Sequence, residues 1–286
     1  MLPNIPEEVI NHLRGLTGLV STCVLTGNVM EEYAACLAEM RVWCVTNGFT
    51  KIEWRVEHAQ LVEHGRDAAL AHALNPNPAA SAKSYDWCLQ IDADATFAPD
   101  TLFRMLHTAY VSVPDSDILG AYSQLKGAPY LPTIDTGTGT WEAHFPGEGV
   151  LPVIRTGAHC ILIKTPILRR FGPPWFRTRL AFRPVDALRE VDNYARIKCD
   201  GRNPLTENPA WETLLSAAKK DAGGIESAVG EDSGFADSVK AAGGMIYVDT
   251  DIITGHVAKR NITPDLLKEA MDAKERRLRA AVGITR

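Results

Sequence analysis

The chain has 286 residues, 45% of them apolar, and a formal charge of -5 at pH 7. That length exceeds one average domain and falls short of two, so one elaborated domain with a sizeable core is expected. The acidic balance excludes a global basic field, and any nucleic-acid contact needs a local patch. "RTRLAFR" (Arg177 to Arg183) and "KERRLR" (Lys274 to Arg279) are the cationic segments, each read first as solvated surface. The start, "MLPNIPEEVINHLRGL", carries acids and prolines where a secretory signal has a basic end and an apolar block. No stretch is apolar for long enough to span a bilayer, so a cytoplasmic protein without a membrane partner is expected. Cys23, Cys36, Cys44, Cys88, Cys160 and Cys199 form no Cys-x-x-Cys pair and read as reduced residues.

From Leu19 the sequence alternates between strand and helix periods. "LVSTCVLT" reads as a strand, and "MEEYAACLAEMRVWCVTNG" as a helix stopped by Asn47 and Gly48. "KIEWRVE", "HGRDAALAHAL" and "YDWCLQI" continue as strand, helix and strand, with the polar linker "NPNPAASAKS" between the last two. This alternation predicts an α/β domain with a mostly parallel, doubly wound sheet and helices on both faces. Pro99 is expected to open a helix over "PDTLFRMLHTAY", followed by a strand in "SDILGAYS".

The stretch from about Lys126 to Val150 is rich in glycine, proline and threonine and lacks a period, which suits a binding loop or an excursion equally. Within it Trp141 and His144 are candidates for a lid over a bound ligand. "GTGT" lacks the flanking strand and helix of a phosphate loop and is set aside. "VLPVIRTGAHCILIKTPILRRFG" reads as two strands around a turn at Thr156 and Gly157, then a short helix. Lys164 reads as a solvated strand end, and Trp175 and Phe176 as core in preference to an aromatic platform for a ligand. "EDSGFADSVKAAGG" is a helix ending at Gly243 and Gly244, "MIYVDT" a strand, and "PDLLKEAMDAKERRLRAAV" a C-terminal helix capped by Thr263.

The chemistry centres on "IDADA". In an extended strand, residues two apart point the same way, so Asp92 and Asp94 are expected to converge while Ala93 faces away. Two such carboxylates repel unless a cation or donors lie between them. Carboxylate oxygen suits Mg2+ or Mn2+, ions that also grip phosphates. Alone, the triplet is unspecific; its place at the end of an apolar third strand, where open sheets bind ligands, strengthens it. Glu231 and Asp232 start a helix, a place where acids are favourable in any case, and His256 follows a short strand.

The ordered series resembles nucleotide-sugar glycosyltransferases of the A fold, in the style of the family 2 and family 27 groups and of glycosyltransferases carried by bacteriophages. "GRDAALAHAL", "WCLQIDADATFAPDTLFRML", "RTGAHCILIKTPILRRFGPPWF" and "GEDSGFADSVKAAGGMIYVDTDIITGHV" carry the resemblance. It spans about Thr17 to Val257, with two unmatched stretches, Lys126 to Val150 and Arg177 to Ser227. It implies one domain over 1–286: a nucleotide-sugar-binding half at about 17–125, an acceptor half at about 126–262, and a terminal helix over 263–286.

By the same resemblance, Asp94 and His256 hold Mn2+ or Mg2+, and Asp92, counted with them in the metal site, faces the donor ribose or a metal-bound water. Asp232 is the general base, oriented by Glu231. Arg66 belongs to the donor helix, although Asp67 stands where relatives commonly have asparagine. Thr26 and Gly27 lie near the base of the nucleotide. The donor implied is a UDP-sugar, and the acceptor a hydroxyl on DNA (a hydroxymethylated base), protein or glycan. Two other classes stay open. A sugar-phosphate nucleotidyltransferase normally shows a glycine-rich loop with arginine and lysine near the N-terminus, where this chain has "VLTGNVMEEY"; a non-catalytic carbohydrate- or nucleic-acid-binding module of the same fold is the other.

Overall fold

The computed structural model describes residues 5–25, 29–59, 61–75, 84–125, 131–176 and 230–257. The chain divides into two compact units, Met1–Phe176 with Phe235–Arg286, and Arg177–Gly234; only 230–234 of the second are described. The first unit begins with α1 (Glu7–Gly15), preceded by Pro6 and opened by the acids Glu7 and Glu8. Sequence periodicity did not single this helix out. Then β1 (Gly18–Leu25), α2 (Glu31–Thr46), β2 (Ile52–Ala59), α3 (Val62–Leu74) and β3 (Trp87–Asp92) follow as the alternation predicts.

After β4 (Ala95–Thr96), helix α4 (Thr101–His107) starts at Thr101 with Asp100 at its cap. Pro99, expected at the first helical position, lies in the turn before it. A π-helical turn over Thr108–Ser112 ends this helical stretch. The remaining strands are β5 (Ile118–Tyr122), β6 (Ile134–Asp135), β7 (Val150–Val153), β8 (Arg155–Thr156), β9 (Cys160–Lys164), β10 (Ile246–Ile253) and β11 (Gly255–His256). Helix α5 (Glu231–Ala241) precedes β10 and is followed by a turn at Gly243, whose φ of 74° is a conformation glycine adopts without strain.

The main sheet has the order β2-β1-β3-β9-β5-β10-β7. Strands β2, β1, β3, β5 and β10 run one way. Strand β9 runs against its neighbours β3 and β5, and β7 runs against β10 at the edge. The α/β expectation holds; the sheet is mixed, because β7 and β9 run against the other strands and β9 lies antiparallel between β3 and β5. Strand β9 ("CILIK") is buried along most of its length, so its continuous apolar run suits a central position.

Period-2 alternation sorts the strands between two cores. Trp87, Leu89 and Ile91 of β3 join Val20, Tyr33, Met40, Cys44 and Phe103 in one. Cys88 joins Leu19, Ala69, Leu70, Ile161 and Ile163 in the other. Gln90 and Asp92 therefore fall on the α3 face with Cys88. Gln90 Nε2 donates to Arg66 O at 3.0 Å. Helix α3 approaches β1 closely: a Cβ on Gly65 would stand 2.3 Å from Cys23 Sγ. That contact sets Arg66, the next residue, beside the end of β3.

Trp175 and Phe176 are core, as expected. The Trp175 indole donates to Leu168 O and Phe171 O, each at 3.1 Å, and Phe176 stacks on Phe235 with centroids 4.3 Å apart. Lys164, expected in solvent, instead donates to Ala109 O at 2.7 Å and Pro114 O at 2.9 Å, above the Tyr110 ring. It ties the π-helical turn to the sheet. Described cysteines Cys23, Cys36, Cys44, Cys88 and Cys160 are free thiols. Among the described residues no helix is long and apolar enough to cross a membrane. The C-terminal helix expected over 263–286, Cys199 and both cationic segments lie outside the described residues.

Candidate metal centre at the end of the third strand

Strand β3 ends at Asp92, and the chain turns at once through Ala93 and Asp94 into β4. The extended geometry that would aim both carboxylates at one point is therefore lost after Asp92. The two aspartates separate into different environments.

Asp92 stays on the α3 face. Arg66, 4% exposed, donates from Nη2 to Asp92 Oδ1 at 2.8 Å and to Ala158 O at 3.3 Å. Its guanidinium carbon lies 5.3 Å from the Phe176 ring centroid. The other Asp92 oxygen, Oδ2, is 3.4 Å from His159 Nδ1. Burial alone would raise the Asp92 carboxyl; Arg66 and His159 outweigh it and hold the group well below the usual carboxylate range. Arg66, expected at the donor, is thus engaged with Asp92.

Asp94 instead meets two histidines. Ligand atoms of Asp94, His159 and His256 all lie within 4.8 Å of one another. Both histidines are buried, at 4% and 7% exposure, and their ring centroids are 3.6 Å apart. Asp92, expected among the ligands, is outside this group because its oxygens face Arg66 and His159. One carboxylate and two imidazoles fit a divalent cation by donor chemistry.

Backbone bonds bring these distant residues together. Asp92 N donates to His159 O at 2.9 Å, which fixes the entry of β9 against the end of β3. Strand β11 pairs with β4, matching His256 to Ala95 and Gly255 to Thr96, and Val257 N donates to Asp94 O at 2.7 Å. Helix α2 braces the turn from the other side, with Met30 N donating to Ala93 O. His256 is thereby delivered to the Asp-x-Asp turn by a two-stranded ladder that no short sequence window reveals.

His159 was not singled out from the sequence. Its signal, a histidine in "TGAHC" just before an apolar strand, becomes informative only once β9 is known to lie beside β3. Asp67, also in the α3 region, accepts from Trp175 N at 3.0 Å and Phe176 N at 2.8 Å, a structural task that its carboxylate performs for the loop. Glu231 and Asp232 are the first two residues of α5, where acidic groups complement the helix N-terminus. Thr26 and Gly27 follow β1 and lie outside the described residues.

The described part of the 126–150 stretch is an organised loop. Asp135 Oδ1 accepts from Gly137 N and Gly139 N, while Glu142 accepts from Thr136 N and Oγ1. His144 Nδ1 bonds Glu148 at 2.7 Å. "GTGT" is part of this turn and not a phosphate loop.

No protein-family model and no curated protein matches the chain. Among solved structures, it is similar to CMP:2-keto-3-deoxy-manno-octonic acid synthetase complexed with CTP over 91% of this chain and 99% of that one, at 8% identity and a TM-score of 0.40. It is also similar to glucosyl-3-phosphoglycerate synthase from Mycobacterium tuberculosis in complex with Mn2+, UDP-glucose and phosphoglyceric acid, over 80% and 88%, at 14% identity and a TM-score of 0.33. Those activities belong to those proteins. The similarity to A197 from STIV is fuller in three dimensions, with a TM-score of 0.51 at 15% identity over 87% of this chain and 91% of that chain. The chain and A197 share an α/β fold.

Proposed function

We propose that this chain is a metal-dependent glycosyltransferase that moves a sugar from a nucleoside diphosphate donor, a UDP-sugar first, to a hydroxyl acceptor. The supporting observation is the Asp94, His159 and His256 cluster at the carboxyl end of β3, where open α/β sheets bind ligands. These residues would hold Mn2+ or Mg2+, which as a Lewis acid neutralises charge on a departing diphosphate.

The chain's own groups divide the remaining work. Asp92, fixed by Arg66, stands beside the cluster on the donor side in this reading. By the resemblance, Thr26 and Gly27 would lie near the nucleotide base. Asp232 takes the proton of the acceptor hydroxyl, with Glu231 orienting it, both roles carried by the resemblance. The bond from the anomeric carbon to the diphosphate oxygen breaks and its electron pair leaves with the diphosphate. The acceptor oxygen bonds that carbon and gives its proton to Asp232. A hydroxymethylated DNA base, a protein or a glycan supplies the hydroxyl.

The test measures nucleoside diphosphate release from a panel of nucleotide sugars with Mn2+ or Mg2+, with and without chelator. Metal-dependent release from one donor, reduced about 100-fold in a folded Asp94→Ala variant, is the expected result. Pyrophosphate release from a nucleoside triphosphate and a sugar phosphate would replace the transferase reading with a nucleotidyltransferase. If neither activity nor donor binding by calorimetry is found, a non-catalytic binding module is the better description.

A further inference from the structure

We propose that His159 is a third protein ligand of the ion, oriented by Asp92, and that the resulting set of two imidazoles and one carboxylate selects a transition ion such as Mn2+ over Mg2+. The proposal rests on the metal-binding part of the reading above and is independent of what reaction the site performs.

His159 is positioned twice over. Its backbone oxygen accepts from Asp92 N at 2.9 Å, and its side chain lies with Nδ1 3.4 Å from Asp92 Oδ2 and Nε2 3.1 Å from Gly255 O. Those neighbours are a carboxylate and a carbonyl, both acceptors. A second buried imidazole, His256, lies with its centroid only 3.6 Å away, and Asp94 completes the group. With the Nδ1 proton given to Asp92, a neutral His159 has only a lone pair at Nε2, which cannot bond the Gly255 carbonyl 3.1 Å away and is the atom left for a cation. A cation uses all three side chains at once.

Asp92 then has a task different from that of a ligand. Metal-bound histidines commonly give their second ring nitrogen to a carboxylate, which fixes tautomer and ring orientation. Asp92 is placed for that role through Nδ1, and Arg66 holds its other oxygen at 2.8 Å. The strand period explains why: Asp92 lies on the face of α3, whereas Asp94 has already left the strand. The first aspartate of the triplet is a positioning residue and the second a ligand.

Selectivity follows from the donor atoms. Mg2+ takes hard oxygen ligands in near-ideal octahedral geometry and dehydrates reluctantly. Imidazole nitrogen suits transition ions, and affinity rises from Mn2+ to Co2+ at a fixed nitrogen and oxygen site. With two of the three side-chain donors being imidazoles, this site discriminates against Mg2+.

The experiment uses the full chain with metal ions alone, without nucleotide. Mn2+ binding is followed by loss of the free-ion electron paramagnetic resonance signal, and coupled imidazole nitrogens are counted by spin-echo modulation. The expected result is two coupled nitrogens, displacement by Co2+, and little displacement by a large excess of Mg2+. His159→Gln should leave one nitrogen and weaken Mn2+ about tenfold or more, and Asp92→Asn should weaken it about 10- to 100-fold.

One nitrogen in the unaltered chain, equal competition by Mg2+, or no Mn2+ binding overturns the proposal. The unaltered chain decides the matter even where His159→Gln fails to fold. Two-nitrogen binding by a chain that neither releases nucleoside diphosphate nor binds a donor supports this assignment and sinks the transferase reading. Turnover sustained equally by Mg2+ and Mn2+, with one nitrogen bound, does the reverse.

Discussion

Replacing the Arg66 and Asp92 pair tests whether a buried ion pair organises the end of β3. Arg66 is 4% exposed and the Asp92 side chain 28%, and they meet at 2.8 Å. Asp92→Leu leaves a guanidinium with almost no access to water and without its carboxylate. Breaking a buried pair from one side costs about 3–5 kcal/mol, and Arg66 is buried enough to place this variant in that range. Arg66→Leu leaves a partly solvated carboxylate that retains His159, so its cost should fall near the lower end, about 3 kcal/mol.

The double variant, with leucine at both positions, leaves no unpaired charge from this couple. It should be more stable than Asp92→Leu alone, because the desolvation of both ions is removed together. At about 2–4 °C per kcal/mol, a loss of about 4 kcal/mol in Asp92→Leu lowers Tm by about 8–16 °C, easily read by circular dichroism or calorimetry. A double variant whose loss equals the sum of the single losses within about 0.5 kcal/mol refutes the pairing as an energetic unit.

Gly18→Ala puts a Cβ 2.0 Å from the Trp87 indole, which fills the space between β1 and β3, so the strands or the ring must move. A loss of about 1–3 kcal/mol or more is expected in thermal denaturation, whereas Gly15→Ala, with nothing within 4 Å of its Cβ, serves as a near-neutral control. In the organised loop, hydrogen bonds from Thr136 hold the Glu142 carboxyl down at about 2, below its ordinary 4.5. A depressed folded value means stabilisation that is present above about 4.5 and lost as pH falls through about 2. Protection of the Thr136 amide against hydrogen exchange, corrected for intrinsic rate, should fall across that window; an identical pH course in Glu142→Gln would rule out this carboxyl as the cause.

The strand and helix alternation was readable because burial imposes it. Tyr33, Met40 and Cys44 of α2 recur at helical spacing, and Trp87 to Ile91 is a short, continuously buried run of the kind that forms a central strand. Strand direction was not readable in the same way. "CILIK" announces a buried strand but not its sense, since a continuous apolar run fits both parallel and antiparallel neighbours. The chain has already reversed between β5 and β7, and β9 keeps the sense of β7 when it inserts between β3 and β5, which local periodicity does not register.

That strand direction also decides the site. An antiparallel β9 presents its N-terminal entry, and with it His159, at the carboxyl end of β3; a parallel β9 would present Lys164 there instead. The pairing of Ile91 with Cys160 and the bond from Asp92 N to His159 O place the histidine one residue beyond the ladder, at the height of the Asp-x-Asp turn. The same geometry makes the two aspartates unequal. Asp92 is still governed by the strand period and pairs with Arg66, while Asp94 is governed by the turn and by the β4 to β11 ladder that carries His256. A sequence motif of two identical residues thus enters two different environments, because the strand ends between them.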